Sequence, residues 1–129
     1  MSTLAKTIQQ AIAEKGENKK TNDKAYLEFI KGNFIIPIEK NEPSDAPKVL
    51  FLEEDKQCFL PVFDDTSLFD QWVEDIKHDI DLLKVSGVDL LKSLGDNVIV
   101  CFNIGSASYK EFHPQEIARM KGIIVKIFK

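Results

Sequence analysis

The chain has 129 residues, 43% of them hydrophobic and 29% charged, with a net charge of −4. That length suits one domain, and the apolar content excludes a chain that is disordered throughout. The acidic balance argues against a nucleic-acid binder, which needs a basic footprint to displace counterions from phosphates. Lys15, Lys19, Lys20 and Lys24 are diluted by Glu14, Glu17 and Asp23 and read as a solvated loop.

Cys58 and Cys101 each sit in an apolar run, which suits buried thiols acting as small hydrophobes. A reactive thiol needs an electropositive, partly exposed setting, and none is evident at either position. The opening Met1–Lys6 carries no apolar core of leader-peptide length. The longest apolar stretches, Phe34–Ile38 and Val98–Phe102, fall far short of the ~20 residues that span a bilayer. The expectation is a cytoplasmic protein with no membrane partner.

Residues 3–14 place Leu4, Ile8, Ala11 and Ile12 on one helical face. A polar loop follows, with Gly16 suited to a left-handed cap. A second helix is expected from Thr21 or Asn22, with Tyr26, Leu27 and Ile30 on its apolar face and its end near Gly32-Asn33. Phe34–Ile38 reads as a strand, and Pro37, which cannot donate to a ladder, makes it an edge strand or a bulged one. Asn41–Pro47 is a connecting loop. Val49–Leu52 and Cys58–Phe63 read as a hairpin about the polar turn Glu53–Lys56.

Asp65 or Thr66 caps a helix expected to run to His78, with Leu68, Phe69, Trp72, Val73 and Ile76 as its stripe. Ile80–Val85 is a strand. Ser86 with Asp89 is a capping-box-like start to a short helix that uses Val88, Leu91 and Leu94 and stops at Gly95. Val98–Phe102 is a buried strand rich in β-branched residues. After the polar loop Asn103–Ser108, His113 as N-cap puts Pro114 at the first helical position and Glu116 at the third. Phe112 and Ile117 then form a hydrophobic staple. Gly122 is expected to end this helix, leaving an apolar tail at 123–129.

The order α-α-β-β-β-α-β-α-β-α implies a mixed α+β fold, a mixed sheet of about five strands with helices packed against it. Residues 1–129 form one domain, in which 1–20 are an N-terminal helix and loop.

Candidate chemistry is sparse. Asp64, Asp65, Asp70, Glu74, Asp75, Asp79 and Asp81 are an acidic cluster without EF-hand spacing, and read as a cap plus a solvated helix face. His78 and His113 have no second His or Cys at metal-ligand spacing, so no metal and no cofactor are expected. A Cys101–His113 nucleophile pair has no specific support. The loop Asn103–Ser108 ahead of a helix start can offer backbone N–H groups and hydroxyls to an anion, or can simply turn the chain.

Three stretches resemble one family. They are Leu60-Pro61-Val62-Phe63-Asp64-Asp65 leading to Leu68 and Trp72, the strand and helix over Ile80–Leu94, and Asn103-Ile104-Gly105-Ser106 followed by Lys110-Glu111-Phe112 and Glu116-Ile117. Together they resemble the N-terminal domain of the SseB family of bacterial proteins across residues 23–121, with Ile104 where that family favours proline. The resemblance implies the fold; no catalytic motif defines an activity for the family.

Two functions are therefore weighed. The first is a non-enzymatic binding or regulatory module, in which the tail residues Ile124, Ile127 and Phe128 either dock on a protein partner or second copy, or complete the domain's own fold. The second is a small-molecule or anion sensor, or an enzyme. Its site would lie between the Asp64-Asp65 turn and Asn103, Gly105 and Ser106, where ligands sit when the preceding strands run parallel.

Overall fold

Helical and strand periods alternate along the chain much as the residue pattern predicts. The computed structural model describes residues 2–40 and 48–127. In chain order it contains α1 (Thr3–Ala13), α2 (Lys19–Lys31), β1 (Asn33–Glu39), β2 (Leu52–Glu54), β3 (Gln57–Val62), α3 (Thr66–Trp72), β4 (Ile80–Ser86), α4 (Gly87–Ser93), β5 (Val98–Phe102), β6 (Lys110–Phe112) and α5 (Pro114–Ile127). The fold is mixed α+β. The expected loop Asn41–Pro47 lies outside the described residues.

The strands form two sheets rather than one: β1 pairs antiparallel with β4, and the other four take the order β2-β3-β5-β6. Ile35 and Phe63 join the two through a reciprocal pair of backbone hydrogen bonds of 2.7 and 2.9 Å. Pro37 sits in β1 opposite Leu82, and its carbonyl accepts from Leu50 N–H. Within the second sheet β3 and β5 run parallel, with Val62 beside Phe102, and the other two pairings are antiparallel. The loops after β3 and β5 therefore emerge side by side.

The alternation of β1 divides the core. Phe34 and Ile36 face the larger cluster with Phe29, Leu60, Val62, Phe102 and Phe112, under α1, α2, α4 and α5. Ile35 faces a smaller one with Phe63, Phe69 and Val73. Phe29 stacks on Phe34 with ring centroids 4.5 Å apart, and Phe112 is 5.0 Å from Phe29.

Several boundaries differ from expectation for identifiable reasons. α2 begins earlier than expected, because Asn18 rather than Thr21 or Asn22 caps it, accepting from Lys20 N–H at 3.0 Å. The lysines of its first turn look like loop only because they face water; Lys19 pairs with Asp23 at 2.8 Å. Its buried face is Thr21, Ala25, Phe29 and Ile30, so Leu27 points outward. The second strand starts at Leu52, and Val49 makes only an isolated bridge to Ile38. Its turn to β3 is Asp55-Lys56, both left-handed, the geometry of a two-residue hairpin loop.

α3 stops at Trp72 and not at His78. Glu74, Asp75 and Asp79 would have crowded carboxylates against the negative end of a longer helix dipole.

At the C-terminal end Gly122 does not terminate α5, which runs through to Ile127. The β-branched run Ile123-Ile124-Val125 has strand propensity, but Ile117, Met120 and Ile124 are spaced for one helical face and all are buried. Gly122 lies on the solvent side, and a Cβ there would meet nothing within 4 Å. Replacing it with alanine should therefore stabilise the protein by about 0.5–1 kcal/mol, from helix propensity alone. A urea melt reads this as a raised midpoint.

Candidate functional site

The two loops proposed from the sequence do meet. Asn103 follows β5 in the left-handed conformation, φ 52°, which asparagine tolerates better than most residues. It is 1% exposed, and its side chain is fully committed. Its Nδ2 donates to Asp64 Oδ1 at 2.9 Å and to Ser108 Oγ at 3.2 Å, while its Oδ1 accepts from Asp64 N–H at 3.2 Å. Its backbone N–H donates to Val62 carbonyl at 2.8 Å, and its carbonyl accepts from Ser106 Oγ at 2.8 Å. Ser106 Oγ also accepts from Ser108 N–H at 3.1 Å. Gly105, φ 85°, lets the turn close.

Asp64 extends the clasp to α1, because Ser2, the N-cap of that helix, donates its hydroxyl to Asp64 Oδ2. Asp65 is the N-cap of α3 and accepts from Ser67 N–H at 2.8 Å. The Ser67 hydroxyl and N–H together hold the Asp65 carboxyl below its usual range. A cleft of about 300 Å³ lies over this cluster, lined by Gln9, Asp64, Asp65, Leu68 and Ser106 among others. Both formal charges in the lining are carboxylates, so the local field opposes an anion. The residues singled out in the sequence thus do assemble, and in the structure they chiefly bind one another.

The thiol and imidazole candidates do not pair. Burial pushes the Cys101 thiol up, and nearby Glu111 adds to that. The His113 Nε2 lies 3.5 Å from Glu111 Oε1, and its backbone N–H donates to Glu116 Oε1 at 3.2 Å, one half of a capping box. Among the described residues no three His, Cys, Asp or Glu side chains are grouped to hold a metal ion. Of the proposed docking residues, Ile124 is buried in the protein's own larger core, Ile127 closes α5, and Phe128 lies outside the described residues.

A second cavity was missed in the sequence. A groove of about 360 Å³ runs between α1, α2 and β6. Ile8, Ala11 and Ala25 form its floor, and Ile12, Tyr26 and Tyr109 its sides. Ile12 is 52% and Tyr109 38% exposed. Lys15, Lys110 and Glu116 are the charged groups in its lining. Glu116 Oε2 is taken by the Tyr26 hydroxyl at 2.9 Å and the Lys110 ammonium at 3.0 Å.

Lys15 occupies an unusual backbone position. Gly16 N–H donates to Ala11 carbonyl and Lys15 N–H to Ile12 carbonyl, the paired bonds of a Schellman cap. The left-handed residue of such a cap is ordinarily glycine; here it is Lys15, φ 56°, with Gly16 following at φ 70°. A lysine there is strained, so Lys15→Gly should raise stability by roughly 0.5 kcal/mol, strain relief being partly offset by the greater freedom of glycine in the unfolded chain. A melting curve of the variant checks this.

Burial, and then Glu116, push the Tyr26 hydroxyl from 10.0 up to about 12. A group whose folded pKa is raised contributes stability that is complete below its unfolded pKa and is lost as pH passes through the folded one. The protein should therefore lose stability between about pH 10 and 12, and Tyr26→Phe should reduce that loss. Phenolate absorbance and stability measured across this range test it.

Fold and clasp together define a small mixed α+β scaffold. Its strand-end loops are held by a buried asparagine, and among the described residues no group of side chains is placed to hold a metal ion. The family model for the SseB protein N-terminal domain matches residues 8–119, and the chain belongs to that family. Neither the curated proteins nor the solved structures compared with it gave a match.

Proposed function

We propose that this domain is a non-enzymatic binding module and that the groove between α1, α2 and β6 is its contact surface. The observation that carries the reading is the apolar groove itself, with Ile12 and Tyr109 exposed along it. Ligand sites are concave, mostly apolar and supplied with a few placed polar groups. The cleft above Asp64, Asp65 and Asn103 is the second reading. What favours it is its place beyond the C-terminal ends of two parallel strands. What weighs against it is that its side chains are already spent on each other. The free thiols of Cys58 and Cys101 support a reducing, cytoplasmic setting, and the net charge of −4 supports a partner other than nucleic acid.

A melting-temperature screen against metabolites, nucleotides, amino acids including serine, and divalent metals tests the reading. A compound bound only by the folded state adds about 2.7 kcal/mol at a hundredfold excess over its Kd. Ile12→Asp should abolish the effect of a groove ligand and leave a cleft ligand unaffected. Asp65→Asn, which keeps the helix cap but removes the charge, should do the reverse. A stabilising compound that is chemically converted during the assay would contradict a non-enzymatic role.

A further inference from the structure

We propose that the groove takes a small amphipathic carboxylate, an apolar body lying along Ile8 and Ile12 with its anionic end held by Lys15. This rests on the groove reading above and names its ligand class. Three observations carry it. The first is space: the small residues Ala11 and Ala25 help line a cavity of about 360 Å³, within the range of small-molecule pockets.

The second is charge. Lys15 and Lys110 against Glu116 leave one net positive charge in the lining, on a chain whose net charge is −4. Glu116 is neutralised by Lys110 and bonded by Tyr26, so it offers little to a cation. Lys15 has no ion-pair partner among the described residues. A ligand anion is therefore the complement that the mouth lacks, and a charge-assisted hydrogen bond is the strong kind.

The third is the backbone. Lysine stands at the left-handed cap position where glycine is the stable choice. Strain of this kind is retained where a side chain has a use, and Lys15 is among the residues that line the groove.

The test is an NMR titration of the full chain with phenylpropionate, phenylpropylamine and phenylpropanol, which share a body and differ in their end group. Phenylpropionate should shift the amides of Ile12, Lys15, Tyr26 and Tyr109 saturably, and bind roughly tenfold more tightly than the amine. Lys15→Gly, which keeps the cap geometry, should weaken phenylpropionate by a similar factor, while Lys15→Arg should retain it. Equal or tighter binding of the amine or alcohol in the groove, or an unchanged phenylpropionate Kd in Lys15→Gly, would overturn the ligand class while leaving the groove reading in place. No groove shifts with any of the three would overturn both.

Discussion

Gly87→Ala is expected to lower the stability of this protein by on the order of 3 kcal/mol, a large loss for the addition of one methyl group. A Cβ on Gly87 would lie 2.1 Å from the Phe29 carbonyl oxygen and 2.8 Å from that of Ile30. Both are backbone atoms in the last turn of α2, so no side chain can swing aside to relieve the clash. The helix end itself must move, and with it Phe29, which is buried and packed against Phe34 and Phe112. The hydrogen bond from Gly87 N–H to Gly32 carbonyl, 2.8 Å, belongs to the same close approach. The melting temperature should fall by roughly 10 °C. Gly122→Ala on the open face of α5 is the matched control: the same chemical change, with the opposite sign. A loss below about 1 kcal/mol for Gly87→Ala would mean that α2 and α4 do not approach so closely.

Asn103→Ala should cost a similar amount, roughly 3 kcal/mol, by a different route. It removes the bonds to both the N–H and the carboxylate of Asp64 and to Ser108, and leaves the Asp64 N–H without its partner. It also puts a Cβ-bearing residue lacking a compensating side chain at φ 52°. Urea unfolding should show a lowered midpoint at unchanged slope, since the surface exposed on unfolding is the same. Asn103→Gly separates the two contributions, restoring the backbone preference but not the bonds. Asn103→Asp should be destabilised by the neighbouring Asp64 carboxylate, and its deficit should shrink as pH falls and the new carboxyl takes up a proton. Equal stability of Asn103→Ala and the parent would dismiss the clasp.

What could be read in advance follows from the range of the interactions. Helix starts written in a few adjacent residues were legible: Asp65, Ser86 and the His113-Pro114-Glu116 run all begin helices in the structure. The buried strand Val98–Phe102 was legible from its β-branched content. The three-residue β6 is too short to show an alternation, so the strand next to the groove escaped notice. The tail misled because strand propensity and helical spacing disagreed there, and burial of Ile117, Met120 and Ile124 decided for the helix.

The site divides in the same way. Asn103 stood out as a polar loop residue, but its partner Asp64 lies 39 positions away, and only the parallel register of β3 with β5 brings them together. The groove was illegible for the same reason, more strongly. Tyr26 and Glu116 hydrogen-bond across 90 positions, and no local pattern announces that α1, α2 and β6 share a cavity. Lys15 was read as part of a solvated loop, and Gly16 beside it looked like the cap.

The most direct test of a binding module is a mass balance. The purified protein is incubated with a defined mixture of small organic acids, amines and amino acids, then separated and denatured, and each compound is quantified over time. The proposal predicts that a carboxylate is withdrawn in proportion to protein, reaches a plateau, and is recovered unchanged on denaturation. Continued loss of any compound beyond the amount of protein, with a product accumulating, would contradict it and make the protein an enzyme.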